Sequence, residues 1–179
     1  VTAARLAGAG TLLGTTNVAA VGGVATFTDL AHPLATNITI RFTSGALAAP
    51  TSSVVAVSVG PFSRLLVLLP GETYAPGTAT GHTGTATATA GTATAVRVYG
   101  VDEGFNLVTA ASDTVGLTCS DTNAILPADA ALVNGTNTFS LTFKTAGSQT
   151  VTATDITDGS KTPGTGTVTV AAGAFVKLQ

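Results

Sequence analysis

From Asn134 to Asp155 the chain alternates apolar and polar residues so regularly that only strands can accommodate it. Asn134-Gly135 is the dipeptide that most readily takes the two left-handed conformations of a type I′ turn, so residues 131–133 and 136–143 are predicted to pair as a hairpin. Phe139, Leu141 and Phe143 alternate with Ser140, Thr142 and Lys144, which places the apolar groups on one face of a half-buried strand. After the break at Ala146-Gly147-Ser148 the alternation resumes. Val151 and Ala153 face one way and Thr150, Thr152 and Thr154 the other, so a third strand is predicted to return along the second as an antiparallel meander.

Composition extends that reading to the whole chain. Threonine supplies about a fifth of the 179 residues and no stretch has the pattern of an ordinary amphipathic helix, which favours β structure. Only 9% of residues are charged and the net charge is −2, so the solvent faces must be covered by hydroxyls. The seven Lys and Arg are scattered singly, which argues against a nucleic-acid partner, since a phosphate surface needs clustered cations. The apolar run 65–69 is far too short to cross a bilayer, and no membrane insertion is expected. A single cysteine, Cys119, excludes an intrachain disulfide; in phase with Val115 and Leu117, it reads as a small buried hydrophobe. With no initiator Met and no signal peptide, the chain is expected to be a processed product or a piece of something longer.

The chain also resembles itself. Gly60-Pro61-Phe62-Ser63-Arg64-Leu65 is echoed by Gly173-Ala174-Phe175-Val176-Lys177-Leu178 at an offset of 113 residues. Val21-Gly22-Gly23-Val24-Ala25-Thr26-Phe27 matches Val133-Asn134-Gly135-Thr136-Asn137-Thr138-Phe139 at an offset of 112. Two anchors agreeing to one residue indicate tandem repetition. Residues 1–59 are then the second half of one copy, incomplete alone; residues 60–172 are a complete copy; and 173–179 form the first strand of a following copy. In the complete copy strands are predicted near 62–69, 93–101, 114–119, 130–133, 136–143, 150–155 and 165–171, the pattern of an immunoglobulin-like β-sandwich. Residues 70–90 form either a long surface loop or an extra Thr-Ala strand, the latter ordered against a neighbouring subunit. In the half copy strands are expected near 2–6, 17–21, 24–29, 38–43 and 54–59, with Phe27, Ile38, Ile40 and Phe42 as its core.

The complete copy resembles the bacterial immunoglobulin-like repeats that occur in tandem in very large surface proteins and adhesins. The residues carrying the likeness are Val101-Asp102-Glu103-Gly104-Phe105-Asn106, 126–130, 138–147 and 150–155; residues 10–12 and 23–30 extend it to the half copy. The resemblance implies an all-β sandwich in a cell-surface or secreted setting and is weak for any activity.

Chemistry has little purchase. His32 and His82 read as exposed loop residues without a nucleophile elbow or metal-ligand spacing, so no catalytic residue, cofactor or metal is assigned. Asp102, Glu103, Asp113, Asp121, Asp155 and Asp158 could converge at one end of a sandwich and suit calcium, but turn capping is the simpler role. With no Trp and only Tyr74 and Tyr99, aromatic platforms for sugars are sparse. Asn37 and Asn134 stand in glycosylation acceptor triplets, and Lys144 falls on an outward phase unsuited to an internal crosslink.

The half copy is the more informative anomaly, because an incomplete sandwich leaves apolar surface and strand edges without partners. Either the missing strands belong to a longer tandem chain, or separate copies complement one another through Phe175, Val176, Lys177, Leu178 and Gln179, building an open head-to-tail filament. The expected function is a non-enzymatic extracellular filament or stalk whose partners are copies of itself or adjacent repeats. The alternative is a ligand-binding or spacer module of a large adhesin, with a glycan or surface receptor as partner.

Overall fold

The computed structural model describes residues 1–174, and among them there is no helix. Three strands form in the first third of the chain: β1 (Thr2–Ala7), β2 (Asn37–Thr43) and β3 (Val55–Ala56), hydrogen-bonded in that order as one antiparallel sheet. Ten follow: β4 (Arg64–Leu68), β5 (Glu72–Tyr74), β6 (His82–Gly84), β7 (Thr87–Thr89), β8 (Ala93–Val101), β9 (Thr114–Cys119), β10 (Ala130–Ala131), β11 (Thr136–Thr142), β12 (Gly147–Asp155) and β13 (Gly164–Ala171). They assemble as a three-stranded sheet, β11-β8-β4, facing a five-stranded sheet, β10-β9-β12-β13-β7, with β5 and β6 as a separate hairpin.

Alternation explains the two layers. The inner residues Val67, Val96, Val98 and Leu141 of the smaller sheet meet Val115, Val151, Ala153 and Val168 of the larger one in a single buried cluster. The outer positions are largely threonine. The sheets also touch at one edge, where Arg64 bridges Thr162 in parallel and the Leu65 amide donates to the Thr162 carbonyl at 2.9 Å. The fold is an all-β sandwich with the strand order expected of the immunoglobulin-like class.

The predicted meander is corrected. Asn134 and Gly135 do take left-handed φ values of 51° and 76°, and Val133 and Thr136 exchange two backbone hydrogen bonds across the turn. The flanking strands part at once, however: β10 pairs with β9, and β11 pairs with β8 along its whole length. β12 pairs with β13 and β9, in the other sheet. Phe139 and Leu141 on one side and Val151 and Ala153 on the other therefore face each other across the core. Local alternation specifies which face is buried, and it is silent about which strand lies alongside.

Residues 70–90 are also more ordered than a loop. Thr87–Thr89 is a Thr-Ala strand, and it lies parallel to β13 within its own sandwich, with no neighbouring copy needed.

Two strands of the first sheet repeat the register of two strands in the five-stranded sheet. Adding 112 to β1 and 113 to β2 carries the pairs Ala3↔Phe42, Ala4↔Arg41 and Arg5↔Ile40 onto Val115↔Asp155, Gly116↔Thr154 and Leu117↔Ala153 of β9 and β12. At β3 the match slips by two residues: Ile38 pairs with Val55, whereas its counterpart Val151 pairs with Gly166 and not with Val168, the residue 113 positions beyond Val55. The faces agree as well, since Ala3, Ile38 and Ile40 are buried as Val115, Val151 and Ala153 are. Gly22 and Gly23 take left-handed φ values of 60° and 84°, and Val21 and Val24 close the turn as Val133 and Thr136 do.

The expected strands near 17–21 and 24–29 do not form. β11, the counterpart of 24–29, is held by β8, and residues 1–59 contain no strand in the position of β8. Residues 12–30 instead fold back over the sheet, with Leu12, Phe27 and Leu30 packing on its buried face and the Phe27 ring 5.5 Å from that of Phe42. The expected exposed face is therefore covered. The edge is less so: Val54, Val55 and Val59 are exposed, whereas the corresponding edge of β13 carries β7.

At the end of the sandwich where β9 finishes, Asp121 is 5% exposed. Its carboxylate accepts from the amides of Asn123, Lys144 and Thr145 and from the Thr145 hydroxyl. Burial alone would raise its pKa; those donors outweigh burial and hold it down to about 2. A pKa lowered by folding contributes stability above the ordinary carboxylate range, and that contribution is lost as pH falls through about 4 towards 2. Asp121→Asn is predicted to lower the melting temperature at neutral pH and to flatten the acid limb between about pH 4 and pH 2, measured by circular dichroism melts across that range.

Candidate functional site

The buried polar groups that reach farthest along the chain lie where the first sheet meets the sandwich. β8 ends at Val101, and Asp102 follows, 5% exposed. A carboxylate cannot be buried there without donors. One oxygen accepts from the amides of Gly104 at 2.9 Å and Asn106 at 2.8 Å, the other from the amide of Gly60 at 2.8 Å. The Asn106 side-chain nitrogen adds contacts of 3.0 Å to both. Gly60 lies in the connection between β3 and β4, so Asp102 fixes that connection to the end of β8.

Asn106, 6% exposed, reaches the other way. Its side-chain nitrogen donates to the Pro33 carbonyl at 2.8 Å, and its oxygen accepts from the Ala35 amide at 2.9 Å. One amide thus reads a donor and an acceptor of the first segment's backbone while Asp102 fixes its orientation. Close approach is enforced by two glycines: a Cβ on Gly104 would sit 2.1 Å from the Pro33 carbonyl oxygen, and one on Gly77 would sit 2.7 Å from the Leu34 Cβ.

The β5–β6 hairpin braces this contact. The Gly77 amide, in its loop, donates to the Gly104 carbonyl at 2.7 Å, and the Tyr74 hydroxyl donates to the Phe105 carbonyl. Phe105 has φ +60°, a conformation disfavoured for a bulky residue and sustained only where the surroundings fix it. Its ring is held between Gly81 and the Arg64 guanidinium, 5.0 Å from the ring centre, and Arg64 also pairs with Glu103. A cleft of about 340 Å³ remains beside the contact, lined by Leu13, His32, Val57, Pro61, Asp102 and Asn106 among others.

The other sequence candidates are dispersed. Phe175, Val176, Lys177, Leu178 and Gln179 lie outside the described residues. His32 is half-buried, its Nδ1 2.8 Å from the Leu34 carbonyl oxygen, and His82 lies in β6 with Nδ1 3.5 Å from the Glu72 carboxylate; neither is the exposed loop histidine expected. The six carboxylates do not converge. Asp121 lies at the opposite end of β9 and β12 from Asp155, and Glu103 pairs with Arg64. Asp155 caps the amides of Thr157 and Asp158, Asp158 caps Ser160 and pairs with Lys161, and Asp113 is raised in pKa by burial and the nearby Asp155. Among the described residues no group of three or more His, Cys, Asp or Glu is arranged to hold a metal. Cys119 is half-buried against the core, with its thiol pKa raised by burial. Asn37, Asn134 and Lys144 are exposed.

The role of Asn106 was not readable from its position, although Asp102 and Asn106 both belong to the segment that carries the family resemblance. The available signal was an aspartate closing a strand with an asparagine four residues on, a spacing suited to a self-bonded loop.

No family model and no curated protein matches the chain. Among solved structures it is similar to a β-glycosidase from Bacteroides vulgatus (12% identity, TM-score 0.48, 75% of this chain and 17% of that one). A glycosyl hydrolase family 2 member from Bacteroides cellulosilyticus gives 12% identity and a TM-score of 0.48 over 78% of this chain and 17% of that one. β-Glucuronidase 3 from Bacteroides uniformis gives 16% identity and 0.41 over 75% and 16%. The chain thus spans about a sixth of the length of these structures.

Replacing Asn106 by Ala removes both bonds to the first segment and leaves the Ala35 amide without its partner, a cost of about 1–3 kcal/mol. The Ala35 amide should then exchange hydrogen at least about tenfold faster while the amides of Val96 and Val98 are unchanged. Unchanged exchange at Ala35 would remove Asn106 from the role assigned to it.

Proposed function

We propose that the chain is a non-enzymatic, extracellular structural protein whose immunoglobulin-like repeats build a filament or stalk through end-to-end contacts. The observation that carries this reading is the Asp102–Asn106 junction, where buried polar groups and a bracing hairpin hold consecutive segments in one arrangement. A spacer needs that property: each segment buries its own apolar face, and the contact between them sets direction and spacing. The register match of β1-β2 with β9-β12, with β3 in the place of β13, supports reading residues 1–59 as the second half of a repeat of the kind completed by 60–172. On that reading residues 173–179 open the following repeat.

The partners are then adjacent repeats or further copies of the chain. The exposed valines around β3 mark the edge at which β13 carries a parallel strand, and this edge is where a complementing strand has a place to add, Phe175–Gln179 being the candidate donor. The setting is the cell surface or a secreted fibre. The alternative, a ligand-binding or spacer module of a large adhesin, is favoured by one feature away from the junction, a cleft on the outer face of β8 containing Arg97 and Tyr99.

Negative-stain electron microscopy and native-size measurement on the protein from its natural source should give fibres or linear multimers of regularly spaced globules. Folded single particles that make no contact with another copy or repeat would contradict self-assembly and favour the adhesin reading.

A further inference from the structure

The outer face of the smaller sheet carries a second feature, independent of the junction. Cross-strand register sets its floor in rows: Leu66, Tyr99 and Thr136 in one, Leu68, Arg97 and Thr138 in the next. The β5 strand rises beside this floor as a wall. Between wall and floor lies a cleft of about 520 Å³, and a hollow of about 120 Å³ lies on the far side, towards β11. Arg97 and Tyr99 border both, so the two hollows adjoin at these side chains, together a trough across β4, β8 and β11.

The charges in the trough are unequal. Glu72 is spent: its carboxylate accepts from the Leu69 amide at 2.8 Å, faces His82, and its side chain is 6% exposed. Arg97 is exposed, and among the described residues no carboxylate pairs with it. An unpaired guanidinium in a concave site, on a protein with only 9% charged residues, offers a planar two-pronged fork suited to a carboxylate. Beside it the rings of Tyr74 and Tyr99 are stacked, 4.9 Å between centres and 10° from parallel, and the Tyr74 hydroxyl is anchored on the Phe105 carbonyl. This rigid aromatic unit offers an apolar contact. Thr73 and Thr138 supply hydroxyls, Thr136 donates its own to the Val133 carbonyl at 3.3 Å, and Leu68, Leu69, Pro70 and Ala95 make the remainder of the larger cleft apolar.

A ligand matching these features carries one carboxylate, an apolar ring face and hydroxyls. We propose that the trough binds a carboxylated sugar, a uronate-type unit of an acidic polysaccharide, with its carboxylate on Arg97 and its ring against Tyr99. β8, which carries Arg97 and Tyr99, is paired on both sides and offers no open strand edge, which favours a sugar over an acidic peptide whose backbone would seek one.

The test titrates the full chain with a short galacturonate oligomer, a neutral glucose oligomer of the same length and an oligoglutamate peptide, followed by amide and Arg side-chain NMR. The proposal expects saturable shifts at Arg97, Tyr99 and Thr138 with the galacturonate oligomer alone. Arg97→Gln should fold as the native chain does, since the side chain is exposed, and should weaken binding at least about tenfold. Arg97→Lys, which keeps the charge and loses the fork, should fall between. No saturable shift, equal binding of the neutral oligomer, tighter binding of oligoglutamate, or native-like binding by either variant would overturn the assignment.

Discussion

Asp102 is a carboxylate with almost no access to water, and the arrangement at the head of the sandwich follows from that constraint. Each donor it recruits fixes a different piece of chain: Gly104 and Asn106 close the loop after β8, and Gly60 ties down the connection from the first sheet. Asn106, held by this carboxylate, then has one donor and one acceptor left, which Pro33 and Ala35 fill. Losing one member leaves others buried without partners, so the network acts as a unit.

The sandwich supports this network by being rigid in the right place. β8 lies at the centre of the smaller sheet, between β4 and β11, and Val96, Val98 and Val101 are fully buried. Its end is therefore a fixed platform for Asp102. The β5–β6 hairpin, an insertion between β4 and β7, folds over the outer face and reaches the junction through Gly77 while Tyr74 anchors the Phe105 carbonyl. The strained φ of Phe105 is maintained by contacts from β4 and the hairpin together, which links the sheet's outer face to the junction. The same hairpin forms one wall of the trough that contains Arg97.

Much of the strand content was legible in the sequence. The predicted ranges 93–101 and 114–119 coincide with β8 and β9, because each pairs on both sides and alternates cleanly. Partner choice was not legible: the turn at Asn134-Gly135 has the geometry its residues dictate, yet β10 and β11 enter different sheets, a decision made by the whole core. In residues 12–30 alternation promised two strands, and the absence of a strand for them to pair with left Phe27 and Leu30 to pack as coil. The hairpin at β5 and β6 was hidden in Gly-, Thr- and Ala-rich sequence with no apolar face of its own. At the junction, the aspartate was visible as a turn former, whereas the reach of Asn106 to residues more than 70 positions away is a tertiary fact.

The Asp102–Asn106 network holds the first sheet and the sandwich in one fixed relation. Residual dipolar couplings from amides in β1 and β2, compared with those in β8, β9 and β12, test it directly. One alignment tensor should fit both sets. Two tensors of clearly different magnitude would show that the segments reorient independently and would contradict it.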